Sequence, residues 1–244
     1  MILIIGSTKD DTLYFESVMT QKRTEKLFNY VNLTFGHLFN QEILLVNGVQ
    51  TSYLSSAVVS YLLDKYFIIL IIVVGKCTAF SSNLNIGDIV ISKRLFIGDV
   101  DLVEETNSSI GQLPNFPFNY DTPQDVVGYV TSSLESRVMI PYTAGTYISA
   151  NCSYSNDDQI KAFRVGDQLF GHSRSVVFDT ISAGVAMSSH LFNVPFVCVK
   201  VVSRKFKTRQ SAKDYAQVLK NYSSVGKAIV STIGDIGRND IIRG

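Results

Sequence analysis

Positively charged residues are concentrated in one short stretch near the carboxyl end of the chain. Five cations fall within ten residues with no acid among them: Lys200, Arg204, Lys205, Lys207 and Arg209. Such a cluster can face an anion, such as a phosphorylated or carboxylated ligand or an acidic partner surface, because guanidinium groups bind oxyanions through paired hydrogen bonds. A solvated basic loop explains the same residues equally well.

Two carboxylates stand where acid–base chemistry is possible. Asp11 follows the apolar run Ile2–Ile5 and lies beside Asp10, so it either activates a water molecule or serves as an acid at the start of a helix. Asp179 ends another apolar run just before a helical pattern. Helix capping is its favoured role, and a ligand contact is the alternative.

The histidines and cysteines form no pattern for catalysis or metal binding. The chain contains His37, His172 and His190, and Cys77, Cys152 and Cys198. The histidines are far apart and lack carboxylate companions, so we expect them to be structural or exposed. No pair of cysteines has metal-ligand spacing, and Cys77 is expected to be a small buried hydrophobe. We predict no metal and no cofactor.

The composition excludes several classes of protein. The 244 residues are 46% hydrophobic, and 22 Lys and Arg against 21 Asp and Glu give a net charge of +1. Disordered chains are poorer in apolar residues, and nucleic-acid-binding proteins carry a basic excess. The apolar run Phe67–Val74 has eight residues, whereas a membrane-spanning helix needs about 20. With no signal peptide pattern and no disulfide pattern, we expect a cytoplasmic protein that binds neither nucleic acid nor membrane.

Apolar runs and helical patterns alternate along the chain. The predicted strands are Ile2–Ile5, Ile43–Val46, Phe67–Val74, Ile89–Ile91, Val176–Phe178 and Phe196–Val202. Runs that are apolar at every position are typical of a mixed or parallel sheet covered by helices on both faces. Helices are predicted over Ser52–Lys65, over Ile181–Phe192 and from Ser211 onward, and Thr106–Pro123 is predicted to be a loop. We predict one α/β domain over residues 1–244.

Three segments, in this order, resemble the nucleoside phosphorylase and nucleosidase superfamily, and most closely its methylthioadenosine/S-adenosylhomocysteine nucleosidase branch. They are Ile2–Asp11, Val73–Val90 and Asp179–Arg204, and Gly111–Pro114 also has a counterpart in the family. The resemblance implies a three-layer, nucleoside phosphorylase-like fold with a mixed twisted sheet. It also implies a homodimer that takes a small-molecule nucleoside and hydrolyses the N-glycosidic bond of adenine thioether nucleosides.

The resemblance also assigns roles to single positions. In similar enzymes the Asp of an "SD" motif assists protonation of the purine, a Glu of "EME" holds the ribose, and an N-terminal Glu activates water. These positions hold Arg204, Ile181 and Asp11 here, and Ser203 of the "SD" pair is kept. Isoleucine cannot accept hydrogen bonds from ribose hydroxyls, and arginine cannot donate a proton near neutral pH.

Further ligand contacts are implied at Val49, Lys76, Cys77, Thr78, Ser153, Tyr154, Asp179, Thr180 and Ile181. The residues after Gly75 correspond to the family's Gly-rich loop but carry bulkier side chains. Ser153 falls where an aromatic residue stacks on the purine, with Tyr154 beside it. Three functions stay open: a nucleosidase whose activity is weak or lost, an inactive homologue that binds an anionic ligand or a protein partner, and a phosphorylase in which Lys76 contacts phosphate.

Overall fold

A computed structural model of the chain describes residues 1–106, 108–152, 175–208 and 211–239. The strands are β1 (Ile2–Ile5), β2 (Thr20–Leu27), β3 (Val31–Leu38), β4 (Gln41–Asn47), β5 (Leu70–Ala79), β6 (Ile89–Ile97), β7 (Tyr120–Asp121), β8 (Tyr142–Ser149), β9 (Val176–Asp179) and β10 (Phe196–Lys205). The helices are α1 (Lys9–Val18), α2 (Ser52–Lys65), α3 (Val103–Thr106), α4 (Gln124–Arg137), α5 (Ser182–Phe192) and α6 (Ala212–Asn239). None of the helices in these ranges combines the length and the apolar character needed to cross a membrane.

The ten described strands form one mixed sheet. Its order is β10-β6-β8-β9-β5-β1-β4-β3-β2, with β7 paired to β6. Because β10 also pairs with β5, the strands β5, β10, β6, β8 and β9 close on themselves, and we call this group the strand ring. Closure removes free edges from this part of the sheet, while β1, β4, β3 and β2 extend it on one side.

Helices cover both faces of the sheet. Side chains alternate along each strand, so Leu3 and Ile5 face a core shared with α2 and α5. Their neighbours Ile2 and Ile4 face a second core shared with α1, α4 and α6. These two cores, which we call the α2/α5 core and the α6 core, confirm the predicted α/β fold with a mixed central sheet.

Helix starts are fixed by local hydrogen bonds. The Thr51 hydroxyl accepts from the Leu54 backbone N–H at 3.2 Å, and α2 begins at the next residue, as predicted. Ser211 and Asp214 exchange side-chain and backbone hydrogen bonds at the start of α6. The predicted bounds of α2 are confirmed, and those of α5 differ by one residue.

Several elements differ from the sequence-based expectation. The strand β5 covers Leu70–Ala79, so the residues that correspond to a Gly-rich loop are extended and paired to β9 and β10. The strand β2 was not predicted because its first seven residues are exposed and it carries no apolar run. Within the predicted loop Thr106–Pro123, the short strand β7 pairs with β6.

Candidate functional site

A cleft of about 560 Å³ opens at the carboxyl ends of the parallel strands β1, β4, β5 and β10, where open α/β sheets commonly bind ligands. Its described walls consist of Ser7, Thr8, Gln50, Lys76, Cys77, Thr78, Phe178, Asp179, Thr180, Lys200, Ser203, Arg204 and Thr208. Six of these side chains carry a hydroxyl group and three are cationic. The cleft is therefore suited to a polar ligand.

A β-bulge in β10 sets the position of Arg204. Val202 pairs with Cys77 and Arg204 pairs with the next residue, Thr78, so Ser203 is the extra residue. The buried Ser203 hydroxyl donates to the Cys77 carbonyl at 3.1 Å. The exposed Arg204 donates from Nε to the Thr78 hydroxyl at 2.9 Å. The bulge thus brings the guanidinium group to the wall of the cleft.

A buried ion pair joins Asp179 and Lys200 at the same cleft. Their side chains are 2% and 1% exposed, and the Lys200 ammonium contacts Asp179 Oδ2. Burial alone would raise the pKa of Asp179, but the Lys200 charge holds it below its ordinary value. Burial would likewise lower the pKa of Lys200, but Asp179 keeps it raised. Both groups are therefore charged at neutral pH.

Asp179 also caps α5. Its Oδ1 accepts from the Ser182 backbone N–H at 3.2 Å, and its Oδ2 accepts from the Ser182 hydroxyl. The N-cap position of α5 is occupied by Ile181 and not by Asp179, but the Asp179 carboxylate satisfies the backbone N–H of the first helical residue, as a capping side chain does. Since both carboxylate oxygens are engaged, a ligand hydroxyl would have to displace an existing hydrogen bond.

Two buried thiols lie near this ion pair. Burial raises the pKa of Cys198 to about 12 and also raises that of Cys77, so both are protonated at neutral pH. A protonated thiol is a poor nucleophile. Cys77 is buried in the α2/α5 core, as expected of a small hydrophobe, although it also borders the cleft.

Asp11 lies behind Thr8, next to the cleft, and is 4% exposed. Its Oδ2 accepts from the Thr8 backbone N–H at 2.8 Å at the start of α1, so the expected structural role is present. Its Oδ1 is buried and has no hydrogen-bond partner among the described residues. Gly75, with φ +128°, leaves room for the carboxylate, because a Cβ there would lie 3.0 Å from Asp11 Cγ. Burial, the charge of Asp11 and the approach of the Tyr222 hydroxyl to that carboxylate raise the pKa of Tyr222 on α6.

The structure brings most of the predicted site residues together. Those on the cleft wall are Lys76, Cys77, Thr78, Asp179, Thr180, Ser203 and Arg204. Val49 and Ile181 lie instead in the α2/α5 core, fully buried, because their apolar side chains pack between the sheet and its helices. Ser153, Tyr154, His172 and Arg209 lie outside the described residues.

The four described members of the predicted basic cluster do not form one surface. Lys200 is buried in its ion pair, while Lys205 donates to the Asn85 side chain at 3.2 Å and Lys207 lies over the ring of Phe206. Among the described members of the cluster, Lys200 and Arg204 line the cleft. The bulge at Ser203 separates them along β10, and Lys207 lies beyond the end of that strand.

Several cleft residues were not predicted from the sequence. They are Ser7, Thr8, Gln50, Phe178 and Thr208, while Lys200 was singled out only as a member of the basic cluster. Ser7 and Thr8 follow directly after β1, and polar residues at the end of a buried parallel strand are a usable signal for a site. The structure brings no three metal-ligating side chains together within the residues it describes. His190 lies beside the rings of Phe116 and Tyr120.

Comparison with known proteins gives a consistent result. The Phosphorylase superfamily model matches residues 2–233. A 5'-methylthioadenosine/S-adenosylhomocysteine nucleosidase of Bacillus thuringiensis subsp. konkukian is 25% identical over 202 residues, covering 83% of this chain and 84% of that protein. The Neisseria meningitidis nucleosidase of the same name, in complex with methylthio-immucillin-A, has a TM-score of 0.82 at 16% identity, covering 96% of this chain and 98% of that one. A putative nucleosidase of this type from Borrelia burgdorferi B31, bound to adenine, has a TM-score of 0.82 at 19% identity, covering 97% of this chain and 100% of that one.

Proposed function

Because this chain belongs to the phosphorylase superfamily and resembles its methylthioadenosine/S-adenosylhomocysteine nucleosidase branch, we propose that its cleft binds a small nucleoside. We propose further that N-glycosidic hydrolysis of adenine thioether nucleosides is weak or lost. One observation carries this second part: Arg204 lies on the cleft wall at the position where the resemblance places the purine acid.

The chemistry of the bond explains why Arg204 matters. Cleavage leaves electrons on the departing purine, which a protonated carboxyl group neutralises by donating a proton. A guanidinium group keeps its proton up to about pH 12, so it cannot take that role, and its charge opposes a protonated purine. Losing one transition-state group of this kind commonly slows a reaction by about a hundred- to ten-thousand-fold.

The ribose side of the reaction lacks its carboxylate as well. Ile181 is fully buried in the α2/α5 core, and its backbone carbonyl accepts from the Ser55 hydroxyl at 2.7 Å and from the Val185 backbone N–H at 3.4 Å. Asp179, two residues earlier, is committed to Lys200 and Ser182. Asp11 keeps a carboxylate at the position of the water-activating acid, with one oxygen unpartnered among the described residues. Because Asp11 is 4% exposed and does not line the described cleft, residual hydrolysis by this group requires that water reach its buried carboxylate.

A phosphorylase is the second candidate. Lys76 is exposed on the cleft wall, and its ammonium lies 5.9 Å from the centre of the Tyr215 ring, so it is placed where a phosphate could approach. Phosphate-dependent release of a base would favour this alternative.

The test is to incubate the protein with methylthioadenosine, S-adenosylhomocysteine and inosine, with and without phosphate, and to measure free base. We expect release at least about a hundredfold slower than by one of the nucleosidases above, assayed in parallel. Adenosine should nevertheless raise the melting temperature, since a ligand that binds only the folded state stabilises it. Release at the rate of the parallel enzyme would contradict the proposed loss of activity.

We propose finally that the protein is a cytoplasmic homodimer and that residues 1–244 form one domain of this family. The family resemblance supports the dimer, and the free thiols Cys77, Cys152 and Cys198 agree with a reducing compartment. Sedimentation equilibrium should give twice the chain mass of 27.0 kDa. A species of single-chain mass at all concentrations would contradict the dimer.

A further inference from the structure

The described walls of the cleft carry an excess of positive charge. Asp179 and Lys200 neutralise each other in their buried pair. Lys76 and Arg204 remain, and neither forms an ion pair with an acid of the described residues. Unneutralised cations in a cleft with low-dielectric walls attract anions, because the walls focus the field into the opening.

Arg204 is held in a geometry that suits an oxyanion. Its Nε donates to the Thr78 hydroxyl at 2.9 Å, which restrains the guanidinium plane. The two terminal nitrogens form no hydrogen bond with any residue that the structure describes. A guanidinium group anchored at one nitrogen presents its remaining donors to a phosphate or carboxylate in a fixed plane, so less side-chain freedom is lost on binding.

The surrounding groups are compatible with the same ligand. Lys76 and Thr78 are two residues apart on β5, so their side chains leave the strand on the same side, and both line the cleft. The Thr8 hydroxyl lies on this wall and can donate to an oxygen atom, whereas the Thr208 hydroxyl donates to the Lys205 carbonyl at 2.7 Å.

We propose that the cleft binds a nucleoside derivative that carries an oxyanion, with the oxyanion held by Arg204 and Lys76. The inference rests on the proposed nucleoside binding and narrows its ligand to an anionic class. A phosphate ester and a carboxylate share the required chemistry, and the experiment below distinguishes them.

The test compares adenosine, adenosine 5'-monophosphate, adenosine 5'-carboxylic acid and inorganic phosphate by titration calorimetry at low and high salt. We expect at least one anionic derivative to bind about tenfold or more tightly than adenosine, because a charge-assisted hydrogen bond contributes more than a neutral one. The preferred anion identifies the source of the charge. The preference should decrease as salt rises.

Variants assign the effect to the cleft. Arg204→Gln should reduce the affinity for the preferred anion about tenfold and abolish most of the preference for that anion over adenosine. Arg204→Lys should be intermediate, since it keeps the charge but loses the planar donor geometry. Lys93→Gln removes one exposed cation from β6 outside the cleft wall and serves as the matched control, with no expected change.

The outcomes separate this inference from the proposed function. Equal affinity for adenosine and its anionic derivatives, or an unchanged preference in Arg204→Gln, would overturn the anion site while leaving nucleoside binding intact. Binding of inorganic phosphate that depends on Arg204, with no binding of any nucleoside, would support the anion site and contradict nucleoside binding. Absence of binding for all four compounds would reject both.

Discussion

Asp179 and Lys200 carry opposite charges inside the strand ring, where neither is more than 2% exposed. Removing two ions from water is costly, so such a pair is retained only where each charge keeps a partner. The lysine lies within the apolar run Phe196–Val202, and a single cation in a buried strand indicates an ion pair. The partner could not be predicted, because Asp179 belongs to a different strand and the contact depends on ring closure.

Asp179→Asn should therefore lower the free energy of unfolding by about 3–5 kcal/mol at neutral pH, because it leaves the Lys200 charge uncompensated. The wild-type pair also predicts a pH dependence. Since the pKa of Asp179 is lowered from its ordinary 3.8 by folding, its contribution is present above that pH and is lost as the pH falls through the folded value. Urea unfolding at several pH values should show the difference between wild type and variant shrinking below about pH 4.

Two further variants control for this interpretation. Asp121→Asn breaks the exposed pair with Arg94, whose N–O distance is 2.8 Å, and should change stability by no more than about 1 kcal/mol. Adding Lys200→Met to Asp179→Asn should recover much of the stability that Asp179→Asn loses, since no buried charge remains in the double variant. A double variant as unstable as Asp179→Asn would show that packing, and not charge, causes the effect.

The site residues illustrate what a sequence can and cannot place. Lys76, Thr78 and Arg204 line the cleft, because they lie near the carboxyl ends of β5 and β10. Ile181 corresponds to a ligand-binding position by resemblance, yet its apolar side chain joins the core. Position in a motif determines where the backbone runs, while side-chain chemistry determines whether that position faces the cleft or the core.

The helices α2 and α5 approach each other closely at one glycine. A Cβ at Gly184 would lie 2.0 Å from the Ser52 carbonyl oxygen and 2.3 Å from the Ser55 hydroxyl oxygen. Small residues at the contact allow hydrogen bonds between the helices, such as that between the Ser60 and Ser188 hydroxyls at 2.9 Å. The sequence of α5 contains the small residues Ala183, Gly184 and Ala186, which permit a close approach, but nothing in the sequence identifies α2 as the neighbour.

Gly184→Ala should lower the free energy of unfolding by about 1–3 kcal/mol or more, because the methyl group forces α2 and α5 apart. The matched control is Gly128→Ala on the exposed face of α4, where a Cβ would have no neighbour within 4 Å. That substitution should stabilise the protein by about 0.5–1 kcal/mol, because alanine favours the helix. Chemical denaturation measures both, and equal effects of the two substitutions would contradict the close contact.

Local patterns predicted strands that are apolar at every position, but they missed β3 and β8, which are largely buried without a continuous apolar run. The run Ile2–Ile5 and the helical spacing over Ser52–Lys65 match β1 and α2, because burial imposes a regular apolar pattern. The hairpin of β2 and β3 has an exposed outer strand, which carries no such pattern. Ring closure depends on the pairing of β5 with both β9 and β10, which are about a hundred residues or more away along the chain.

On the scale of the whole molecule, the α2/α5 core and the α6 core share the same strands. The residues of β1 alternate between them, and so do those of β5. If these shared strands unfolded, the apolar side chains of both cores would be exposed to water. The two layers of helices are therefore expected to unfold as one cooperative unit, although a chain of 244 residues is longer than most proteins that unfold in a single step.

Leu62→Ala in α2 and Ile229→Ala in α6 test this coupling, because both side chains are fully buried but lie in different cores. Each substitution should lower the free energy of unfolding by about 2–5 kcal/mol and lower the midpoint temperature of one common thermal transition. The chain contains no Trp, so tyrosine fluorescence reports tertiary structure and far-ultraviolet circular dichroism reports the helices. At a fixed protein concentration the two signals should share one midpoint in each variant. Two separate transitions, with each substitution shifting only one of them, would show that the cores unfold independently.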